Sequence, residues 1–308
     1  MLVFLPQRLG EDVAPCPEAI FQTGSEHKPR VNIACKPEAL ASEARLGIAC
    51  ATQSNPVPMH RFYLPPEACE ETSLRLEGRE AHHALHVLRL REQDAIEILD
   101  GCGGRYQCRV AQREKQRLIL SVESKSMTPA PPWRLTLLAA VTKSKALDMI
   151  VQKATELGVS RLVPLITERV VVKTSEDRFN LDKWRWVAID SIKQCGSPWL
   201  PAMEPPVTLA RFIERRESFD LSWVASLVSS QHPRKTIDSF RLDQQRPPRS
   251  VSVWIGPEGD FKEKEIRAIT DAGAQPISLG SLVLRADTAA IYCLSVLNYE
   301  LRFMEESK

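Results

Sequence analysis

The chain of 308 residues is 43% hydrophobic and 26% charged, enough to build two domains with their own cores. Its 41 basic and 39 acidic residues leave a net charge of +2, so bulk electrostatics neither demands nor excludes a nucleic-acid partner, and any such case must come from local features. Eight scattered cysteines without a C-x-x-C pair or zinc-ligand spacing exclude a disulfide framework and imply no metal; no apolar run approaches the ~18 residues of a membrane span, so the reading is a cytoplasmic enzyme with reduced thiols.

In chain order, MLVFLPQ is too short, and too soon followed by Glu11 and Asp12, to be a signal peptide. Residues 1–58 hold seven of the 22 prolines, show no sustained period of 2 or 3.6, and include the polar stretch TGSEHKPR. They are expected to be a disordered extension or the product of a start assigned upstream of Met59, with a small packed element as the remaining alternative. From 59 to 128 the apolar runs are short and strand-like: RFYL, AIEIL, RYQCRV and RLILSVES, two of them joined by the glycine turn GCGG at 101–104, which together predict a small barrel. One helix is expected to interrupt it, at HHALHVLRL (82–90), where His82, His83 and His86 read as surface and cap residues without a partner to complete a metal site. This segment carries 11 basic and 11 acidic residues. Its interest is therefore placement: Arg61, Arg89, Arg91 and Arg105 fall at element ends, where a guanidinium either reaches phosphate or is plain solvated surface.

MTPAPPW (127–133) is a proline-rich joint, and after it strands alternate with helices. WRLTLLAAV, RLVPLIT, DLSWVASL, SVSVWIG and QPISLG read as strands. KALDMIVQKATELG, LDKWRWVAIDSIKQ, FKEKEIRAITDAG and RADTAAIYCLSVLNYEL read as helices. That alternation predicts an α/β domain over 133–308 with a parallel sheet, whose ligands bind at the carboxyl ends of the strands. VWIGPEGDF (253–261) sits at such an end. Glu258, between Gly256 and Gly259, is expected to be a buried carboxylate, and the loop could be a phosphate cradle, an acid/base site or a tight turn. A Walker loop needs Lys-Ser/Thr after its glycines and a dinucleotide fingerprint needs G-x-G-x-x-G; neither is present. Here the glycines permit close backbone approach while Pro257 stiffens the turn, which suits a flat uncharged group. SLGSLVLRADTAA (278–290) makes a second loop of the same kind through Gly280 and then Leu282, Val283 and Leu284, so two loops could hold an adenine between main-chain groups and leucines.

Together RFYLP, HHALHVLRLREQDAIEILDGCGGRY, the Lys143-x9-Lys153-x2-Glu156-Leu157-Gly158-Val159 spacing, TER (167–169), IKQCG (192–196), WIGPEGDF and LGSLVLRADTAA resemble the RsmE family of the SPOUT methyltransferases over residues 59 to 303. The resemblance implies methylation of N3 of a uridine in 16S ribosomal RNA of the small subunit, with S-adenosylmethionine as cofactor. It implies a PUA-like RNA-binding barrel at 59–128, a carboxyl-terminal domain with a deep trefoil knot, and a homodimer whose last helix is partly interface. The cofactor residues it implies are Ile255, Gly256, Pro257, Glu258 and Gly259 in one loop and Leu279, Gly280, Leu282, Val283 and Leu284 in the other, with Thr288 and Ala289 beyond. Lys143, Arg169 and Gln194 join the four arginines as RNA-contact candidates.

Transfer to uridine N3 is an in-line displacement in which the nitrogen loses its proton, so the protein must align the reactants and stabilise charge on the flanking carbonyl oxygens. Arg285 is the candidate cation, with an ion pair to Asp287 or Glu258 as its structural alternative. Glu258 is the candidate proton acceptor or arginine-orienting group, with loop organisation as the alternative. Three departures stand against the family pattern: Asp260 in place of glycine, Ser197 in place of arginine, and Ala286-Asp287 in place of Thr-Glu. Asp260 is expected to cap the following helix. The rival readings are a methyltransferase for another RNA nucleotide or a ribose hydroxyl, a non-catalytic RNA-binding or assembly factor, and a nucleotide-dependent dehydrogenase.

Overall fold

The computed structural model describes residues 59–70, 73–142, 144–169, 181–229 and 231–306. The expectations for residues 1–58 and for Lys143 lie outside the described residues.

The first sheet is built from β1 (His60–Tyr63), β2 (Ser73–Leu76), β3 (Ala95–Leu99), β4 (Gly104–Arg113) and β5 (Leu118–Met127) in the order β1-β3-β4-β5-β2. β1 runs parallel to β3, and the other pairs are antiparallel. Alternation places Phe62, Leu74, Leu76, Ile96, Ile98 and Val110 in one core. The helix at this position starts earlier than its pattern suggests: α1 (Gly78–His82) opens at glycine and widens into a π turn at His83–Val87. Ala81, Ala84 and Leu85 of that segment are buried, and His82 and His86 face outward. The GCGG turn does more than join strands. Asp100 Oδ1 accepts from the N–H groups of Cys102 (2.7 Å) and Gly104 (2.8 Å), and Gly103, at φ +100°, packs so closely that a Cβ there would stand 2.6 Å from the Trp199 ring. The Gly103 N–H donates to Pro198 O and the Gly101 O accepts from Leu200 N, so the turn joins the first sheet to the second half of the chain.

The second sheet is wholly parallel among its described pairings. It comprises β6 (Arg134–Ala140), β7 (Arg161–Ile166), β8 (Ala202–Met203), β9 (Val207–Thr208), β10 (Leu221–Ala225), β11 (Ser250–Ile255) and β12 (Gln275–Ile277), ordered β12-β10-β11-β6-β7-β8 with β9 also on β7. Its central strands are apolar on both faces, as a doubly covered sheet requires. One face, through Leu135, Leu137, Val251 and Val253, packs in a core with α2 (Ser144–Glu156), α3 (Leu181–Cys195), α5 (Pro233–Gln244) and α7 (Ala286–Glu306). The other, through Leu138, Val163, Val224 and Trp254, packs with α4 (Leu209–Glu214) and α6 (Glu263–Asp271). Trp184 is buried in the first of these cores, while the half-buried Trp186 lies under the Arg79 guanidinium at 4.7 Å.

The arrangement that positions the site is at the strand ends. β10 lies between β11 and β12, although it precedes both in the chain, so the carboxyl ends of all three meet.

Candidate active site

Three loops leave those strand ends and enclose a cleft that opens to solvent. The loop after β11 contributes Ile255, Gly256, Pro257 and Glu258. The loop after β12 contributes Leu279, Gly280, Leu282, Val283 and Leu284, and Ala289 closes the back from α7. These expected cofactor residues are thus brought together. Gly259 and Thr288 do not line the cleft: Gly259 turns outward against Arg169, and Thr288 lies on the exposed first turn of α7, where its N–H and hydroxyl donate to Asp287 Oδ1.

The third loop, after β10, supplies Ala225, Ser226 and Leu227, which the sequence reading did not place in the site. No motif marks them. Only the strand order, which puts β10 in the middle, brings them there.

The chemistry of the walls fits an adenosyl group. Between Leu279 and Leu284 no main-chain N–H or C=O bonds to another main-chain group among the described residues; the Gly280 N–H donates to Ser278 Oγ at 3.3 Å, and the others are left as donors and acceptors for a flat heterocycle. Leucine, isoleucine and alanine side chains surround those groups. Gly280 sits at φ +111° with open space where a Cβ would go, so glycine is required there by backbone conformation rather than by crowding. These residues, Ile255, Leu279 and Leu284 among them, would hold S-adenosylmethionine.

The two candidate chemical groups are both at the rim. Glu258 is exposed, contrary to the expectation of a buried carboxylate, and among the described residues its side chain has no hydrogen bond. The loop closes without it: the Asp260 N–H donates to Pro257 O at 2.8 Å, in a turn that leaves the carboxylate out in water. The Arg285 side chain is 77% exposed and stands 3.5 Å from Asp287 Oδ2, so the alternative of a pair with Asp287 is realised, but as a loose surface pair. Arg285 itself is flanked by two cleft residues, Leu284 and Ala286.

Asp260 is not the helix cap. Lys262 occupies the N-cap of α6, its N–H donating to Glu265 Oε2 at 2.8 Å, because Asp260 and Phe261 are still in the turn. Asp260 has φ +62°, a left-handed conformation that glycine adopts freely and aspartate tolerates better than most. Its Oδ1 accepts from Phe261 N at 2.8 Å and its Oδ2 from Leu227 N at 3.4 Å, which ties the β11 loop to the β10 loop inside the cleft wall.

The TER segment after β7 braces the same turn. Arg169 Nη1 donates to Gly259 O, the Glu168 carboxylate pairs with Lys262 (2.8 Å) and Lys264, and the Glu168 N–H donates to Glu265 Oε1 at 2.9 Å. The two lysines hold the Glu168 carboxyl below its ordinary range. Arg169, expected at RNA, here supports the cofactor loop.

The remaining RNA candidates divide. Arg61 and Arg105 share the buried carboxylate of Glu97, at 2.8 and 3.0 Å, with Gln107 Nε2 adding a third bond at 3.1 Å. Their other nitrogens donate to Lys193 O, Gln194 O and Gly196 O at the end of α3. Cations at a helix carboxyl terminus satisfy its free carbonyls, so this pair joins the two halves of the chain rather than standing free for phosphate. Arg89 and Arg91 are exposed, and among the described residues their guanidinium groups have no bonding partner. Arg89 itself takes φ +55° at the end of the π turn. Gln194 is exposed beside α2, away from the cleft. Ser197 bonds locally, its hydroxyl 3.2 Å from Trp199 O and N.

A parallel sheet with three loops around an apolar-walled cleft, joined to a small β-domain, is the architecture that two RNA methyltransferase domain families match in this chain. The RNA methyltransferase domain family matches residues 129–298, and the RNA methyltransferase PUA domain family matches residues 76–123. The ribosomal RNA small subunit methyltransferase E of Synechocystis is 31% identical over 252 residues, 80% of each chain. A methyltransferase of Legionella pneumophila, solved with bound SAM, is 30% identical, with a TM-score of 0.72 over 79% of this chain and 98% of that one. The corresponding enzyme E of Neisseria gonorrhoeae, solved with S-adenosylmethionine, is 26% identical, with a TM-score of 0.69 over 79% and 98%. The chain belongs to the ribosomal RNA small subunit methyltransferase E family.

Proposed function

We infer that this protein transfers a methyl group from S-adenosylmethionine to N3 of a specific uridine in 16S ribosomal RNA. The observation that carries the reading is the cleft in which WIGPEGD and LGSLVL meet, in a chain whose relatives carry the name of that enzyme. When bound, the cofactor supplies an electrophilic methyl on its sulfonium. The chain's own residues hold it by main-chain groups and leucines, leaving the rim for the target base. There Arg285 stabilises the charge on the uracil carbonyl oxygens, and the exposed Glu258 carboxylate accepts the N3 proton or orients Arg285. The base leaves its stack to reach the rim.

We further propose the finer architecture. Residues 59–128 form the RNA-gripping domain and 133–308 the catalytic one, with Arg89 and Arg91 offering unpaired cations to the phosphate backbone. The crossing from β11 past β10 to β12 is the place for a trefoil knot, since the chain returns there through strands laid down earlier. Tyr292, Tyr299 and the exposed Leu282 and Val283 suit a homodimer interface along α7. Among the described residues no helix is long and apolar enough to cross a membrane; the proposed setting is the cytoplasm, where the small ribosomal subunit is the substrate.

The test is methylation of small ribosomal subunits lacking the modification, with labelled cofactor and nucleoside analysis of the product. N3-methyluridine is expected. A different methylated nucleoside would overturn the substrate assignment, and absence of cofactor binding by calorimetry would overturn the enzyme.

A further inference from the structure

The cleft has charges of only one sign in its lining. Among the described residues the ionisable side chains that line it are Glu258 and Asp260, and no lysine or arginine does so. The neighbouring cations are directed elsewhere: Arg169 to the Gly259 and Asp260 carbonyls, Lys262 and Lys264 to Glu168, Arg285 to Asp287. Of the two carboxylates, Glu258 is exposed and untethered, whereas Asp260 is half-buried and fixed by Phe261 N and Leu227 N.

A fixed negative charge in the wall matters for one step of this reaction in particular. The methyl donor carries a sulfonium, an ammonium and a carboxylate, net +1. After transfer the sulfonium has become a neutral thioether, and the product is net neutral. A carboxylate beside the cleft therefore attracts donor and product unequally, while the neutral loops and leucines grip their shared adenosyl part alike.

We propose that Asp260 is a specificity-determining residue for the charge state of the cofactor: it favours the sulfonium donor over its thioether product and so speeds exchange of spent cofactor. The inference rests on the cleft being the S-adenosylmethionine site. In a half-solvated wall one unit charge is expected to change the donor-to-product affinity ratio by roughly three- to tenfold. The effect is screened as ionic strength rises toward 1 M, where the Debye length falls to ~3 Å.

The experiment is calorimetry on the full chain with S-adenosylmethionine, S-adenosylhomocysteine and sinefungin, whose amine keeps a positive charge where the sulfonium stands. Asp260→Asn removes the charge, tolerates the left-handed conformation and, through its one amide oxygen, keeps one of the two backbone tethers. Asp260→Gly keeps the backbone conformation and removes both tethers. For Asp260→Asn the expected result is weaker binding of donor and sinefungin, unchanged binding of the thioether, and a ratio of donor to product affinity lowered by about three- to tenfold. Equal weakening of all three ligands in Asp260→Asn, or an unchanged ratio, would overturn the proposal and leave Asp260 as a tether of the β10 loop. Failure of the unsubstituted chain to bind any of the three would instead overturn the cofactor site itself.

Discussion

In the proposed function Arg285 supplies a charge that is needed only during the reaction. Its guanidinium is exposed, bonded loosely to Asp287, and attached to the chain between two residues of the cleft wall, so it can swing to an incoming base at small cost in lost contacts. Replacing it with alanine is expected to lower kcat by about 10²–10³-fold, the magnitude usual for a lost donor to a developing oxyanion, while the KM for the cofactor stays within about twofold. Steady-state kinetics on ribosomal subunits checks both numbers, and a rise in cofactor KM with kcat preserved would move Arg285 from the chemistry to the cradle. The neighbouring Glu258 shows what a sequence motif does and does not convey. Two glycines and a proline specify the turn, but whether its carboxylate points in or out depends on how residues 257–260 close, and the bond from Asp260 N to Pro257 O sends it out. Asp260 is the converse case: its left-handed backbone angle follows from that closure, and its link to Leu227 depends on a strand more than 30 residues away.

At the scale of elements, periodicity located the long apolar strands and the helices with a clear buried stripe. α5 escaped because PRKTIDSFRLDQ buries little beyond Pro233, Thr236 and Ile237, so no stripe is visible in its sequence. β8 and β9 are two residues each, too short for any alternation to register. What fixes the strands after α5 is partly electrostatic. Asp220, just before β10, accepts from Arg246 (2.9 Å), from Arg249 N (2.6 Å) and from Ser250 N (3.2 Å), tying the start of β10 to the start of β11. Arg246 first, and then these N–H groups, hold its carboxyl down to about 2, below its ordinary 3.8. A depressed carboxylate stabilises the fold above its unfolded-state value, and the contribution is lost as pH falls from about 3.8 towards 2. Asp220→Asn is therefore expected to cost about 1–2 kcal/mol at neutral pH, with allowance for the partial exposure of the pair, and progressively less below pH ~4. Urea unfolding of both proteins between pH 7 and pH 3 measures it; a difference that stayed constant across that range would show that the ion pair contributes nothing.

For the whole molecule, the outer face of α7 is where the proposed homodimer would form. Tyr292 and Tyr299 lie seven residues apart, two helical turns, and so project from one face, and both are exposed on a helix whose opposite side is fully buried through Cys293, Leu294, Leu297 and Leu301. Leu282 and Val283, 77% and 74% exposed at the cleft mouth, add aliphatic surface close to the start of the same helix. Large side chains of this kind are costly to leave in water, and a second copy of the same surface, related by a twofold axis, would cover them. That arrangement would also put the mouth of the cleft beside the partner, so assembly and cofactor affinity should change together. Tyr299→Arg is expected to convert a dimer to a monomer and to weaken cofactor binding about tenfold or more, without a comparable loss of secondary structure, because position 299 is exposed in the single chain. Light scattering across a concentration series, calorimetry with cofactor and circular dichroism on the same preparations test the three parts. A substituted protein that stayed dimeric would place the interface elsewhere, and one that became monomeric yet bound the cofactor as before would show that each cleft is complete within its own chain.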